Sequence, residues 1–150
     1  MARPSAAWRL SLRVFYGLLR LLDPILRVWW HAFGIGITAE VTVRGRRSGR
    51  QRSVLVGVLN VDRHQYVGHP NGPVDWTRNL AAAGEARVAQ LPGTWATLRA
   101  VPLGDGPERD AVIAATARPQ PFPGNLVYRA AQRHIKAVGV YFRLEPLDSA

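Results

Sequence analysis

The sequence predicts an α+β protein: a small antiparallel β-barrel of about six strands, with short helices and an N-terminal helical segment. Three observations predict this class. The chain has 150 residues, of which 47% are hydrophobic and 20% charged, as in one globular domain. Residues 6–37 have a helical apolar pattern, whereas from residue 38 the pattern changes to a period of two. Short Gly- and Pro-rich segments separate the alternating runs, as in closed antiparallel sheets.

This change of period divides the chain into an amphipathic helical segment, residues 1–37, and a barrel domain, residues 38–150. In the helical segment the basic residues Arg9, Arg13, Arg20 and Arg27 fall within about 40° of one another on a helical wheel, with Tyr16, Asp23 and His31 beside them. No uncharged run reaches about 18 residues, so a membrane-spanning helix is not predicted. Pro24 indicates a break or a new first turn.

Two interpretations of the helical segment remain open. The helix can pack over the barrel with its arginine stripe in water. Alternatively it lies on an anionic bilayer surface, with the arginines among the headgroups and Trp29, Trp30 and Phe33 in the interface.

The remaining elements follow in order from residue 39. Predicted strands cover residues 39–45, 52–61, 65–69, 85–91, 94–103 and 138–146. Predicted helices lie within residues 70–84, 106–116 and 125–135, with Gly84 ending the first and Pro107 at the first position of the second. Turns are predicted at residues 62–64 and at Pro92–Gly93.

Positive charge is concentrated at one turn between two predicted strands. The net charge is +10, and five arginines lie between Arg44 and Arg52. Guanidinium groups donate paired hydrogen bonds to phosphates and carboxylates, and Ser48 with Gly49 can present a hydroxyl and backbone N–H groups to an anion. A basic hairpin tip in water would have the same sequence, so both interpretations stay open here.

A second motif, "DWTRNL" at residues 75–80, places an aromatic ring and a carboxamide on one helical face. Trp76 and Asn79 are three residues apart, so they can stack on a flat ring and bind its edge. The alternative is a core tryptophan beside a capping asparagine.

Several kinds of chemistry leave no trace in the sequence. The chain has no cysteine, which excludes thiolate chemistry and fits a reducing, cytoplasmic location. The four histidines have no metal-ligand spacing, Ser48 and Ser53 have no His/Asp partners nearby, and no phosphate-binding glycine motif is present. The sequence predicts no metal site and assigns no catalytic acid, base or nucleophile.

Taken in order, "GRRSGRQRS", "YVGHPNGPVDW" and "DWTRNLAAAGEARV", with the closing "YFRLEP", resemble the deazaflavin (coenzyme F420)-dependent nitroreductase family. These are split β-barrel, FMN-binding-like oxidoreductases that use flavin or deazaflavin and are common in actinobacteria. The resemblance covers roughly residues 38–146 and is strongest over residues 43–90. It implies an F420-dependent reductase that passes a hydride from the reduced deazaflavin to an apolar acceptor of the quinone, nitro-compound or unsaturated-lipid type.

The resemblance also implies which residues form the sites. Those implied to hold the cofactor are Arg46, Arg47, Ser48, Gly49, Arg52, Val54, Gly68, His69, Asp75, Trp76 and Asn79. Tyr128, with Phe122 nearby, is implied to line the acceptor site and to be a candidate proton donor. Arg50 supplies additional positive charge.

Three rival functions stay open: the same barrel with FMN, a non-catalytic F420 carrier or sequestering protein, and a nucleic-acid binder. The expected partners are the small cofactor and acceptor, with peripheral contact at the inner face of an anionic membrane as an option and no nucleic acid. The expected assembly is a monomer or a homodimer.

Overall fold

The computed structural model describes residues 6–33, 38–116 and 124–147, and the side chains of residues 23, 25–33 and 124–125 lie outside that description. The predicted interface residues Trp29, Trp30 and Phe33, and the acceptor-site residue Phe122, are therefore among those not described. The strands are β1 (Thr38–Arg44), β2 (Gln51–Gly57), β3 (Leu59–Val61), β4 (His64–His69), β5 (Glu85–Ala89), β6 (Trp95–Pro102) and β7 (Val140–Pro146). The helices are α1 (Ala6–Phe33), α2 (Asp75–Ala83), α3 (Pro107–Ala115), α4 (Gly124–Ala130) and α5 (Gln132–Val138).

All seven strands form one antiparallel sheet in the order β2-β1-β5-β6-β7-β4-β3. The two outermost strands, β2 and β3, are separated in sequence only by Val58. One bent strand therefore contributes both edges of the sheet, which curls into a half-barrel. The predicted α+β barrel is confirmed, and the predicted strand over residues 52–61 is divided at this bend.

Local turn chemistry explains several boundaries that the sequence predicted. Gly84 ends α2 in the left-handed conformation at φ 71°, and its N–H donates to Leu80 O. Pro92 and Gly93 occupy the centre of a turn closed by Thr94 N–H to Leu91 O, with Gly93 at φ 81° as a type II turn requires. The helix at Pro107 also begins where predicted.

Two apolar clusters lie on opposite faces of the sheet. The first fills the barrel interior, with buried side chains that include Val41, Val88 and Phe142, and α2 contributes Leu80 to it. The second lies between the outer face of β3, β4 and β7 and the helices α3, α4 and α5. Trp8 of α1 packs against this second cluster, so α1 is docked on the outside of the barrel.

The structure corrects two sequence-based expectations about helices. Pro24 lies inside α1 and does not end it, because the helix-favouring residues on both sides continue the helix despite the hydrogen bond that proline cannot donate. The helix predicted at residues 125–135 is two helices, α4 and α5, that adjoin at Ala131, and the second continues to Val138. Within the described residues, no helix combines the length and apolar character needed to cross a bilayer.

Candidate functional site

The loop between β1 and β2 is held in shape by its own backbone. Gly45 N–H donates to Arg50 O at 2.8 Å, and Gly49 N–H donates to Gly45 O at 2.9 Å. Gly49 has φ 70°, a conformation that favours glycine. Ser48 Oγ accepts from Arg50 N–H at 3.3 Å. The Gly49 amide is thus used inside the loop, and the arginine side chains form its outer surface.

Arg46 joins this loop to the start of α2. Its backbone N–H donates to Asn79 Oδ1 at 3.2 Å, and its Nη1 donates to the same oxygen at 2.7 Å. Nη2 forms an ion pair with Asp75 Oδ1 at 3.2 Å. Asn79 is buried, with 8% of its surface exposed. The structure therefore brings Arg46, Asp75 and Asn79 together, and much of the hydrogen-bonding capacity of Arg46 is committed to α2.

The other arginines of the loop are available to an anion. Arg47, Arg50 and Arg52 are exposed, and none of their side chains forms an ion pair with a described residue. Arg52 lies opposite Val43, which faces the barrel interior, so Arg52 is on the interior face at the open end of the barrel.

Two predicted cofactor residues continue this face inward. Val54 lies opposite Val41, and both Val54 and Trp76 are partly buried against the interior cluster. A ring bound at this end of the barrel would contact these apolar side chains and the arginines around the loop.

Gly68 and His69 form the end of β4. Gly68 pairs with Tyr141, and a Cβ on Gly68 would lie 2.3 Å from both Val140 O and Tyr141 Cδ1, so glycine allows the close approach of β7. The described pairing of β4 with β3 stops at Tyr66. The backbone of Gly68 and His69 is therefore unpaired on the edge that faces away from β7, within the described strands.

Tyr128 and His69 meet through a residue of α1. The Tyr128 hydroxyl is hydrogen-bonded to the Tyr16 hydroxyl. The Tyr16 ring packs on the His69 ring, with 4.8 Å between centroids and 41° between planes. Tyr128 is only 6% exposed. The predicted acceptor-site tyrosine is thus covered by the N-terminal helix in this structure.

Asn71 is hydrogen-bonded to His69, to the backbone of α1 and to α5. Its backbone N–H donates to His69 Nδ1 at 3.2 Å, its Nδ2 donates to Arg9 O at 3.3 Å, and its Oδ1 accepts from His134 Nε2 at 2.8 Å. These bonds place the ring proton of each neutral histidine on Nε2. His134 Nδ1 is buried and has no hydrogen-bond partner among the described residues.

Burial is the main cause of the pKa shifts of the histidines and tyrosines around Tyr16 and Asn71, which we call the Tyr16 cluster. It lowers the pKa of His69 and the pKa of His134, and the nearby charge of Arg9 lowers that of His134 further. Burial raises the pKa of Tyr16, Tyr128 and Tyr141. At neutral pH the cluster therefore holds uncharged imidazoles and protonated phenols.

Sequence reasoning did not identify Tyr16, Asn71 or His134 as site residues. The helical wheel grouped Tyr16 with the arginine stripe, yet Tyr16 is partly buried while Arg9, Arg13 and Arg20 are exposed. The one available signal was the position of Asn71, two residues after His69 in the loop that leads to α2. The roles predicted for the cofactor and acceptor residues stay predictions.

No protein-family model matches the chain, and no curated protein sequence matches it. Solved structures do match. An F420-H2 dependent reductase has a TM-score of 0.55 and 18% identity, over 73% of this chain and 94% of that one. The fold is the split β-barrel.

Two further matches share this fold at similar distance. A heme storage protein from Vibrio cholerae has a TM-score of 0.52 and 16% identity, over 85% of this chain and 92% of that one. A protein of unknown function from Agrobacterium tumefaciens has a TM-score of 0.52 and 16% identity, over 82% of this chain. The chain spans about half of that protein, 54% of its length. These similarities concern the fold.

Proposed function

We propose that the protein is an F420-dependent oxidoreductase that transfers a hydride from reduced deazaflavin to an apolar electron acceptor. The observation that carries the proposal is the arrangement of arginines at the open end of the barrel. Arg46 fixes the loop to α2, while Arg47, Arg50 and Arg52 remain exposed around it. A small molecule with a flat ring and a polyanionic tail suits a site with apolar contacts inside and guanidinium groups outside.

The residues present fit this cofactor. Arg47 and Arg52 would bind its phosphate and carboxylates, with Arg50 as additional charge and the hydroxyl of Ser48 within the same loop. Val54 and Trp76 would contact its ring, and the unpaired backbone of Gly68 and His69 would bind polar atoms of it. The bound deazaflavin would supply the hydride, which is chemistry the protein has no side chain for.

The predicted acceptor side combines apolar side chains with a few polar groups, and Tyr128 is connected through Tyr16 to the predicted cofactor residue His69. Tyr128 lies in a cluster with Tyr66, Ile113, Ile135 and Tyr141. Because burial raises its pKa, the Tyr128 hydroxyl is protonated at neutral pH and is the candidate donor of the proton that accompanies the hydride. Such surroundings favour acceptors of the quinone, nitro-compound or unsaturated-lipid type.

The same geometry supports two alternatives within this fold. FMN also has a flat ring and a phosphate, so it would use the same arginines. A carrier that binds F420 without turnover is the second alternative, and the heme storage protein with this fold gives it a precedent in a non-catalytic role. Nucleic-acid binding is disfavoured because the arginines surround one compact loop that is itself tied to α2.

We also propose peripheral contact with the anionic inner face of the cell membrane, for a protein located in the cytoplasm as a monomer or homodimer. The support is an exposed apolar face of α1. Leu18, Leu21 and Leu22 are 58%, 78% and 48% exposed and share a helical face with Leu10 and Val14. The exposed arginines of the helix flank this face, as in helices that lie on lipid surfaces.

The proposal is tested by fluorescence-quenching titration with oxidised deazaflavin and, in parallel, FMN. The variants are Arg47→Ala/Arg52→Ala and the charge-matched control Arg99→Ala/Arg133→Ala, which removes two exposed arginines elsewhere. We expect deazaflavin binding in the wild type and the control, and at least a tenfold loss in the Arg47/Arg52 variant.

The other outcomes separate the alternatives. Binding of FMN alone assigns the flavin alternative. Deazaflavin binding without acceptor reduction across quinones, nitro compounds and unsaturated lipids assigns the carrier. Equal losses in both double variants would mean that the loop is no specific site.

A further inference from the structure

The side chain of Tyr16 fills a space on the barrel surface beside residues of three other elements. Its hydroxyl meets the Tyr128 hydroxyl, and its ring packs on the imidazole of His69. Tyr141 is close enough to raise the pKa of Tyr16 further. Tyr128, His69 and Tyr141 belong to α4, β4 and β7, so the residues around this space come from elements other than α1.

Within the described side chains of α1, the buried and partly buried ones lie in its first turns. Leu12 is fully buried, Trp8 and Tyr16 are partly buried, and the described residues from Gly17 to Leu22 are all exposed. Among the side chains of α1 that the structure describes, Tyr16 is the last one that is not exposed. Because α1 packs on the outer cluster and adds no strand to the sheet, it can separate from the barrel without unfolding the sheet.

The polar groups beneath the helix are more than packing requires. Among the described residues, His134 Nδ1 is a buried acceptor without a partner, and Asn71 links His134 to His69. The Tyr128 hydroxyl pairs with no described residue other than Tyr16. Buried polar atoms without partners are uncommon, and a bound water or ion is one of the explanations for them.

We propose that the space filled by Tyr16 is a binding site for a planar ring that bears a hydrogen-bonding oxygen, and that α1 closes this site by inserting its own phenol. The ligand packs against the His69 ring and exchanges a hydrogen bond with the Tyr128 hydroxyl, as Tyr16 does. Tyr16 is an internal competitor, and it weakens the apparent affinity of the wild-type protein for such a ligand. That this ligand is the electron acceptor rests on the proposed function; the site itself does not.

The test removes the Tyr16 side chain and adds a free phenol in its place. The probe is p-cresol, which has the ring and hydroxyl of tyrosine, and the comparison ligand is toluene, which lacks the hydroxyl. Binding is measured by calorimetry to the full chain carrying Tyr16→Ala. The matched control is Leu12→Ala, which removes a fully buried side chain from the same helix but leaves no hydroxyl partner.

We expect Tyr16→Ala to bind p-cresol at least about tenfold more tightly than the wild type does, since the internal competitor is gone. It should also prefer p-cresol to toluene, and adding Tyr128→Phe should erase the preference. Leu12→Ala should show no such preference. Equal binding of the two ligands by Tyr16→Ala, or no binding of p-cresol, would overturn the proposal.

If Tyr16→Ala does not fold alone, its rescue becomes the measurement. A ligand that binds only the folded state stabilises it by mass action. p-Cresol should then restore near-ultraviolet circular dichroism where toluene does not, and failure to restore it overturns the proposal. Deazaflavin titration of the same variant separates the two hypotheses, because Arg47 and Arg52 are untouched: retained cofactor binding without p-cresol binding defeats the ring site alone.

Discussion

The carboxamide oxygen of Asn79 accepts two hydrogen bonds from Arg46, from the backbone nitrogen at 3.2 Å and from Nη1 at 2.7 Å. One buried side chain of α2 thereby fixes both the backbone and the guanidinium of the β1–β2 loop. The motifs that the sequence presents as two separate signals are one structural unit.

Asn79→Ala should therefore destabilise the protein by about 1–3 kcal/mol, because two donors lose a buried acceptor. Urea unfolding measures the effect. Arg47→Ala, an exposed change in the same loop, should stay within about 0.5 kcal/mol of the wild type. Equal stability of the two variants would mean that the hydrogen bonds from Arg46 to Asn79 do not stabilise the fold.

Acidification should destabilise the structure before its carboxylates titrate. Burial lowers the folded-state pKa of His69 and of His134, so the unfolded chain binds protons first as the pH falls through the ordinary histidine value of about 6.5. The stabilisation from the neutral histidines is therefore complete above that pH and is lost below it. Hydrogen bonding from Arg143 lowers the pKa of Glu108, which keeps this carboxylate ionised over the same range.

The measurement is the free energy of unfolding between pH 7.5 and 5.5. His134→Gln keeps a donor for Asn71 but cannot be protonated, so it should flatten the pH dependence. A wild-type stability that did not fall in this interval would contradict the assignment of neutral, buried imidazoles.

The hairpin between β3 and β4 should be improved by a single glycine. Asp62 and Arg63 have φ of 47° and 67°, the positive values that a two-residue type I′ turn requires at both positions. Arg63→Gly removes the cost of holding an arginine at positive φ, and the greater freedom of glycine in the unfolded chain offsets part of this gain. The variant should stabilise the folded protein by about 0.5–1 kcal/mol. The thermal midpoint measures it; a lower midpoint would argue against this turn.

Two glycines should respond in opposite ways to alanine. At Gly68 a Cβ would meet Val140 O and the Tyr141 ring, so Gly68→Ala should cost about 1–3 kcal/mol or more by forcing β4 from β7. Gly17 lies in α1 with nothing within 4 Å of its Cβ position, so Gly17→Ala should favour the helix by about 0.5–1 kcal/mol. Denaturation of both variants compares them, and a neutral Gly68→Ala would show that β7 can move away.

The leucines of α1 should govern attachment to lipid. The full chain should float with anionic phosphatidylserine-containing vesicles, and Leu18→Ser/Leu21→Ser should abolish flotation by removing the apolar contact. The control is Leu91→Ser, which alters a leucine that is 63% exposed outside the helix. Flotation that survives the double change, or that Leu91→Ser also abolishes, would locate the lipid contact elsewhere or make it non-specific.

The sequence predicted most of the features that depend on neighbouring residues. Gly84, Pro92 and Gly93 set their turns through local backbone geometry, and the alternating runs became strands. The predicted strand over residues 52–61 is divided at Val58. This division was not predictable, because the chain bends there to close the sheet and the local composition does not indicate a bend. A helical wheel gives the angle of Tyr16 relative to the other residues of α1. It does not indicate which face of the helix packs on the barrel.

The site was predictable to a similar extent. The arginine loop and the Trp76–Asn79 helix were recognised as motifs, but the bond from Arg46 to Asn79 joins residues 33 positions apart. Tyr16 and Tyr128 are 112 positions apart, and no pattern within either segment indicates that they meet. Such contacts follow from tertiary packing, which the sequence specifies only through the whole fold.

The position of β7 in the sheet has a consequence for synthesis. Strands β2, β1, β5 and β6 form one group, β4 and β3 form another, and in the described sheet β7 is the strand that hydrogen-bonds to both. β7 is synthesised after the other six described strands. Until β7 is available, the two groups of strands cannot join through it and their edges stay open, and open strand edges are prone to pair with other chains.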